Sequence, residues 1–303
     1  MQDANTLSQT LSRIDGKGYK AYKDIQGSYE FEQEGYLLHI DYVQGDPFAA
    51  PSRVRVTLTQ EVAGFPDHTW SNKSREVATR DFITRRFAEA IGRHSKGSRG
   101  SGKSGRVGID TPNQEILERT SAFVDDRQVE IRFTVGLPAF GRKIAGRQAH
   151  GLFFEEIPEM VNQSLIFGNL DADALQEHIE VNEDADAARD LLRENNLVAF
   201  VADQSILPRK SGIDPRPMPK DQVIPFESPD SMRWEIDLPN KGTITGMGIP
   251  VGITLIVGGG FHGKSTLLNA IEAGIYNHLP GDGREFVVTD PDAVKIRSED
   301  GRR

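Results

Sequence analysis

The sequence of 303 residues contains no cysteine. Disulfide bridges and thiolate metal sites are therefore excluded, which is consistent with a reducing compartment. No apolar run approaches the roughly 20 residues that a membrane-spanning helix needs, and the polar first six residues contain no signal-peptide core. From these absences we expect a soluble, cytoplasmic protein that does not contact a membrane.

Positive charge is also scarce, since 36 basic residues face 45 acidic ones and the formal net charge is −9. This balance argues against a surface coated throughout with nucleic acid, but it is compatible with a local basic patch. No internal repeat is found. A chain of this length can form two domains, each with its own apolar core.

One stretch near the end of the chain fits a phosphate-binding loop. Ile253–Val257 is apolar and predicts a strand, Gly258–Ser265 fits the pattern G-x-x-x-x-G-K-[ST], and Thr266–Ile271 continues a helix. Glycines let backbone N–H groups curl round an anion, and the N-terminus of a helix adds unpaired N–H groups and partial positive charge. The alternative is a glycine-rich turn between a strand and a helix.

In the phosphate-loop interpretation, Lys264 reaches the β- and γ-phosphates and the Ser265 hydroxyl holds Mg²⁺. The cofactors are then ATP and Mg²⁺, and Ser265 is the candidate metal ligand. The predicted nucleotide-binding residues are Gly258, Gly259, Gly260, Phe261, His262, Gly263, Lys264, Ser265 and Thr266.

A second stretch, Gly97–Ser104, satisfies the same pattern, but its flanks differ. It follows the end of a helical segment and precedes no helix, so we expect a mobile basic loop at residues 93–106 and no nucleotide site there. No acidic residue lies between Glu89 and Asp110. Such a loop could bind RNA or another polyanion, or it could be a solvated linker. The candidate nucleic-acid residues are Arg93, Lys96, Arg99, Lys103 and Arg106.

The first 205 residues predict an α+β domain. Helical periodicity covers residues 74–92 and 171–195, and Thr111–Gln114 is a plausible capping box for a further helix. In the strand at residues 53–58, Arg53 and Arg55 share one face, which is either solvated or contacts phosphate. Tyr19 and Tyr22, interleaved with lysines, either stack on bases or pack inward. Residues 206–229 hold six prolines and predict a linker or crossing loop.

The order of elements from Trp234 to Leu268 resembles an ATP-binding cassette, in which a β-subdomain leads into the phosphate loop. Further stretches are similar to the predicted ATPases of the ABC class, a soluble family that carries an extra N-terminal domain. They are Gly45–Ala49, Pro51–Val56, Gln114–Thr120, Val135–Ala139, Phe200–Arg209, Ile275–Glu285 and Asp292–Arg302.

The resemblance implies an α/β fold class, with an α+β N-terminal domain at 1–205, the segment 206–229, and the start of an ABC-type P-loop α/β domain at 230–303. It also implies ATP hydrolysis by the complete protein and self-association through the cassette. The alternative function is a nucleic-acid-binding module in which nucleotide is bound structurally and not hydrolysed. A P-loop kinase is disfavoured by the cassette-like strands ahead of Gly258.

The sequence departs from a complete cassette after the phosphate loop. Only 39 residues follow Lys264, and no signature motif is found among them. Phe286–Asp290 ends a predicted strand in an acid, but it follows the first helix too closely to be the Mg²⁺-binding acid of such a site. We therefore expect a chain cut inside its nucleotide domain, which binds nucleotide weakly and does not turn it over. The catalytic residues stay unknown.

Overall fold

The computed structural model describes residues 2–296 of the chain. The last residues of the resemblance, 297–302, lie outside this range. The strands are β1 (Gln2–Asp3), β2 (Gly27–Phe31), β3 (Tyr36–Tyr42), β4 (Ser52–Thr59), β5 (Val107–Gly108), β6 (Glu115–Ile116), β7 (Ala122–Val124), β8 (Gln128–Val135), β9 (Ala139–Phe140), β10 (Lys143–Ile144), β11 (Leu197–Ala202), β12 (Arg233–Leu238), β13 (Gly242–Pro250), β14 (Asn277–His278) and β15 (Val287–Thr289). The α-helices are α1 (Ala4–Ile14), α2 (Gln60–Ala63), α3 (Lys73–His94), α4 (Gly146–Gly151), α5 (Ile157–Ser164), α6 (Ala172–Glu194) and α7 (Lys264–Ala273).

The chain forms two compact units. Unit 1 comprises the residues up to Thr111 together with Glu118–Leu175, and unit 2 comprises Pro112–Leu117 and the chain from Gln176 onward. No helix among residues 2–296 combines the length and the apolar character that crossing a membrane requires.

Unit 1 contains a seven-stranded sheet in the order β1-β2-β3-β4-β8-β5, with β7 also paired to β8. Along β4 the side chains alternate between the two faces, so that Val54, Val56 and Leu58 are buried in the core. Arg53 and Arg55 consequently share the opposite face, as the alternation in the sequence predicts. β4 and β8 run antiparallel, and Arg55 lies directly across from Arg132.

Helix α3 covers the apolar face of this sheet and confirms the helical pattern at residues 74–92. The side chain of Asn72 caps the helix by accepting a hydrogen bond from the Arg75 N–H at 2.9 Å. The ring of Phe87 packs against that of Phe133 at a centroid distance of 4.9 Å. Ile83 and Phe87 are fully buried, because the helical period returns apolar residues to one side.

The helix predicted after the capping box at Thr111–Gln114 is wrong. β6 pairs with β14, and β7 pairs with β8, at residues that otherwise predict a helix. The partner strands supply hydrogen bonds and burial that a short isolated helix lacks, so pairing with residues distant in sequence overrides the local capping signal.

Unit 2 is built on an antiparallel sheet in the order β12-β13-β11-β15. Helix α6 packs on one face, where Ala188 and Leu192 contact the cluster around Phe200. Helix α7 packs on the other face, where Ala270 joins the cluster around Val201. Because β11 is covered on both faces, its sequence is a continuous apolar run and does not alternate.

This packing explains why unit 1 ends earlier than the predicted boundary at residue 205. Helix α6 and strand β11 contribute to the core of unit 2, so the chain enters that unit near Leu175. The proline-rich segment 206–229 belongs to unit 2 as well. It contains an isolated bridge between Arg209 and Pro217 and one short 3-10 turn at Lys220–Gln222, but no long regular element.

Candidate nucleotide site

Helix α7 positions the predicted phosphate loop, and its own position is fixed by the sheet of unit 2. Leu267 and Ile271 pack with buried Ala270 on the cluster that includes Val201 and Met247. At the end of the helix, a Cβ on Gly274 would lie 2.7 Å from the Thr289 hydroxyl oxygen and 2.8 Å from the Val287 carbonyl oxygen. Only glycine permits this close approach.

The loop that precedes α7 curls round the ammonium group of Lys264. The Lys264 Nζ donates to the carbonyl oxygen of Gly258 at 2.6 Å and also to that of Gly259. Gly263 adopts a left-handed conformation with φ 78° directly before the helix, and Phe261 lies in the same region with φ 63°. The glycines and Lys264 of the predicted site are therefore brought together in one tight loop.

The first helical hydrogen bond runs from the Leu267 N–H to the Gly263 carbonyl oxygen at 2.9 Å. The N–H groups of Lys264, Ser265 and Thr266, in the first turn, have no acceptor within the helix. They add partial positive charge beside the lysine. A loop of this kind can hold an oxyanion between the lysine and the start of the helix.

The strand predicted at Ile253–Val257 is wrong. The segment has no regular structure, and Ile253 and Leu255 are 102% and 80% exposed. A strand persists only where a neighbouring strand takes up its N–H and C=O groups. None of the described residues pairs with this segment.

A cavity of about 460 Å³ opens beside the loop. Its lining combines the loop and first turn of α7 with two stretches of the proline-rich segment, Leu207–Pro208 and Ile224–Glu227. Ile256 and Val257 complete it. The lining therefore joins a cationic, N–H-rich end to a largely apolar end.

The stretch at Leu207–Pro208 is held by a buried charge network. The Asp282 carboxylate is fully buried and accepts from the Arg209 guanidinium at 2.6 Å. His278 Nδ1 lies 3.0 Å from the other Asp282 oxygen. The Arg284 guanidinium donates to the Leu207 carbonyl oxygen, at 3.0 Å from its Nε. Burial, together with the positive charge of neighbouring Arg209, lowers the pKa of Arg284 to about 10.

Comparison with family models covers nearly the whole chain. Residues 4–168 match the N-terminal domain of the ATPases of the ABC class, and residues 171–303 match the ABC ATPase P-loop domain. The chain belongs to the ABC-class ATPase family. An uncharacterized protein of Methanocaldococcus jannaschii is 43% identical over 107 residues. That match covers 33% of this chain and 24% of the relative's length.

The family membership confirms the resemblance and the α/β fold class, with a P-loop domain after the N-terminal domain. The two matched regions meet near residue 170, close to the division between the two units. Sequence reasoning missed the Arg209–Asp282 network. The sequence hints at this network only through Asp282 and Arg284, two charged residues that alternate with glycines at positions 281–284.

Among residues 2–296 there is no group of three or more His, Asp or Glu side chains that could hold a metal ion. Ser265 lies in the first turn of α7 beside the lysine, where its hydroxyl is exposed. A metal at this site would therefore depend on Ser265 and on the phosphates of the nucleotide. This arrangement fits Mg²⁺, which keeps several waters and needs few protein ligands.

The basic stretch 93–106 is not the mobile loop that its composition predicts. The backbone is tied down by hydrogen bonds from Ser101 N to Ala139 O, Lys103 N to Pro47 O, Gly105 N to Gly136 O and Gly136 N to Arg106 O, at 2.6–2.9 Å. A Cβ on Gly100 would lie 2.2 Å from the Ala139 carbonyl oxygen, so the glycines allow close packing.

Three of its five positive charges have acidic partners. The Arg99 guanidinium donates to both oxygens of buried Glu156, at 2.6 and 2.5 Å. Lys96 pairs with Glu155 at 2.9 Å and Arg93 with Glu89 at 3.6 Å. Arg99 is therefore a structural residue. Within residues 2–296, Lys103 and Arg106 have no acidic group within 4 Å.

Tyr19 and Tyr22 pack inward, so they do not offer rings for stacking on bases. Both side chains are buried, and their hydroxyls donate to the carbonyl oxygens of Leu137 and Pro138. Burial raises the pKa of both phenols.

An arginine-rich surface lies on the open face of the unit 1 sheet. We call it the arginine face, and it surrounds a cavity of about 830 Å³ lined by Arg53, Arg55, Arg119 and Arg132 among others. Glu130 is shared between Arg55 and Arg132, at 2.9 and 2.7 Å. The lining also includes two carboxylates: Asp41 pairs with Arg55 at 2.9 Å, and Asp110 pairs with Arg119. Arg53 instead stacks over the Tyr42 ring at 5.3 Å, and no carboxylate among residues 2–296 lies within 4 Å of it.

Proposed function

We propose that this chain binds ATP through the loop at residues 258–266 and that the complete protein hydrolyses it. The observation that carries the proposal is the glycine loop wrapped round Lys264 at the N-terminus of α7. Lys264 would hold the β- and γ-phosphates, the N–H groups of the first turn would hold phosphate oxygens, and Ser265 would ligate Mg²⁺.

Phosphoryl transfer depends mainly on positioning and on stabilising charge. The loop supplies positioning, because Lys264 and the first turn of α7 are fixed by the packing of that helix on the sheet. Mg²⁺, when bound, neutralises charge on the β- and γ-phosphate oxygens. Hydrolysis further requires an acid for the metal and a group that orients water, and we assign neither to a residue of this chain.

The test is calorimetry of Mg-ATP binding to the Lys264→Ala variant. Loss of a charge-assisted contact to phosphate should cost roughly 1.5–3 kcal/mol, which is about 10- to 150-fold in affinity. The control is Lys103→Ala, because Lys103 occupies the same position in the second match to the pattern. If Lys103→Ala weakened binding and Lys264→Ala did not, the proposal would assign the wrong loop.

Binding alone does not separate an ATPase from a protein that holds nucleotide structurally. Steady-state phosphate release by the complete protein makes that distinction. Release that Lys264→Ala abolishes supports hydrolysis, whereas tight binding without release in the complete protein supports the structural alternative.

A second candidate function is binding of a polyanion such as single-stranded RNA. The arginine face favours it, because four arginines line one cavity and one of them, Arg53, has no carboxylate within 4 Å among residues 2–296. The other three pair with Asp41, Asp110 and Glu130. The Arg53 guanidinium also lies over the Tyr42 ring. It could therefore bind a phosphate next to a stacked base. Lys103 and Arg106 are the residues of the basic stretch 93–106 that stay available for the same role.

A further inference from the structure

We propose that the base of the bound nucleotide lies in the cavity beside the phosphate loop, against Ile224 and Phe226 of the proline-rich segment. This inference rests on the proposed function, since it takes the phosphates to be held at Lys264. It gives the segment 206–229 a role in choosing and holding the ligand.

The position of the cavity leads to this inference. Its lining includes His262, Gly263, Lys264 and Thr266, so it is continuous with the place where the phosphates would lie. Its volume of about 460 Å³ is within the usual range for small-molecule sites, roughly 300–1,000 Å³. A triphosphate held at Lys264 can therefore extend its nucleoside into this space.

The chemistry of the lining suits a base. The stretch Ile224–Glu227 offers an aliphatic side chain, a proline, an aromatic ring and one carboxylate. Aromatic rings stack on the faces of bases of any kind, and other apolar side chains can enclose a base from the opposite face. Ile224 is 93% exposed, so most of this large apolar side chain is free to contact a ligand in the cavity. Glu227 can accept a hydrogen bond from an exocyclic amino group.

The lining is also held in place. Gln204 N donates to the Phe226 carbonyl oxygen at 2.7 Å, and Phe226 N donates to the Ser205 carbonyl oxygen at 2.9 Å. Gln204 adopts this position with φ 69°, a left-handed conformation that is uncommon outside glycine and is often found at functional sites. The stretch Ile224–Glu227 is thus preformed by backbone contacts to residues that follow strand β11.

The test compares Ile224→Asn with Ile213→Asn for binding of Mg-ATP and of inorganic triphosphate, by calorimetry. Ile213 is a matched control, since it lies in the same segment, is 97% exposed and does not line the cavity. Both sites are exposed, so neither change should affect folding. We expect Ile224→Asn to weaken ATP binding by about tenfold or more, because an apolar contact to the base is lost. Triphosphate binding should not change, and Ile213→Asn should bind both ligands like the parent chain.

Unchanged ATP affinity in Ile224→Asn, with triphosphate still bound, would overturn the base site and leave the phosphate loop intact. Equal weakening of ATP and triphosphate would assign Ile224 to the phosphate end, and would also overturn it. If the parent chain bound neither ligand, the proposed function itself would fail, and this inference with it.

Discussion

We expect the ion pair between Arg99 and Glu156 to stabilise the basic stretch 93–106, and removing its negative charge to destabilise unit 1. Glu156 is 3% exposed and Arg99 is 13% exposed, and two hydrogen bonds join them. The same carboxylate accepts from the Lys96 backbone N–H at 3.1 Å. Glu156→Gln removes the negative charge and leaves a guanidinium buried without its counter-charge.

Removing one partner of a buried ion pair typically costs 3–5 kcal/mol. Glutamine retains one acceptor oxygen, so we expect about 3 kcal/mol for Glu156→Gln. With a urea dependence near 2 kcal/mol per molar, the unfolding midpoint of unit 1 should fall by roughly 1.5 M. Glu155→Gln is the matched control. The Glu155 carboxylate pairs with Lys96 on the exposed surface, so Glu155→Gln should not change the unfolding midpoint.

The measurement needs a probe that reports unit 1 alone, because two units need not unfold together. The chain has two tryptophans, Trp70 in unit 1 and Trp234 in unit 2. In a Trp234→Phe background, the fluorescence of Trp70 therefore follows unit 1 during urea unfolding. Equal midpoints for Glu156→Gln and Glu155→Gln would refute the reasoning, and the Arg99–Glu156 pair would then contribute little to the stability of unit 1.

Two further predictions concern the arginine face and the turn between strands β12 and β13 of unit 2. Arg53→Gln combined with Arg132→Gln should weaken the binding of labelled single-stranded RNA, as measured by fluorescence anisotropy. The slope of log binding constant against log salt concentration should become shallower by roughly 1.4. The control is the same pair of changes at exposed Arg13 and Arg127. An unchanged slope in the Arg53/Arg132 variant would show that the arginine face is a solvated sheet surface that does not bind RNA. Asp184→Ala should cost unit 2 about 1.5–3 kcal/mol, because its buried carboxylate accepts from the Asn240 and Lys241 N–H groups at 2.9 Å. Urea unfolding followed by Trp234 in a Trp70→Phe background measures this, and a midpoint like that of Glu183→Ala would contradict it.

The sequence predicts structure well where the partners are close in the chain. The helix after Gly263 and helix α3 follow from short-range periodicity, and the structure contains both. The strand at Ile253–Val257 and the helix after Thr111 failed for a shared reason. A strand needs a neighbour, and neither the lack of one for Ile253–Val257 nor the presence of β14 beside β6 can be inferred from local composition.

The basic stretch shows the same limit for charge. A count of residues between Glu89 and Asp110 finds only positive side chains, but Glu156, which neutralises Arg99, lies 57 residues away in the sequence. Spacing within the stretch carries no information about that carboxylate. Alternation along β4 is more reliable, because the two faces of a strand follow directly from its geometry. It correctly placed Arg53 and Arg55 together.

The glycine turn at residues 281–284 connects these observations to the candidate site. Asp282 holds Arg209, and Arg284 binds the carbonyl oxygen of Leu207, which lines the cavity beside the phosphate loop. A Cβ on Gly283 would lie 2.6 Å from the Ile206 Cβ, so the turn can approach this segment only without a side chain there. None of these residues needs to touch a nucleotide. Their charges and their lack of bulk fix residues 206–209, and through them one side of the cavity where we place the base.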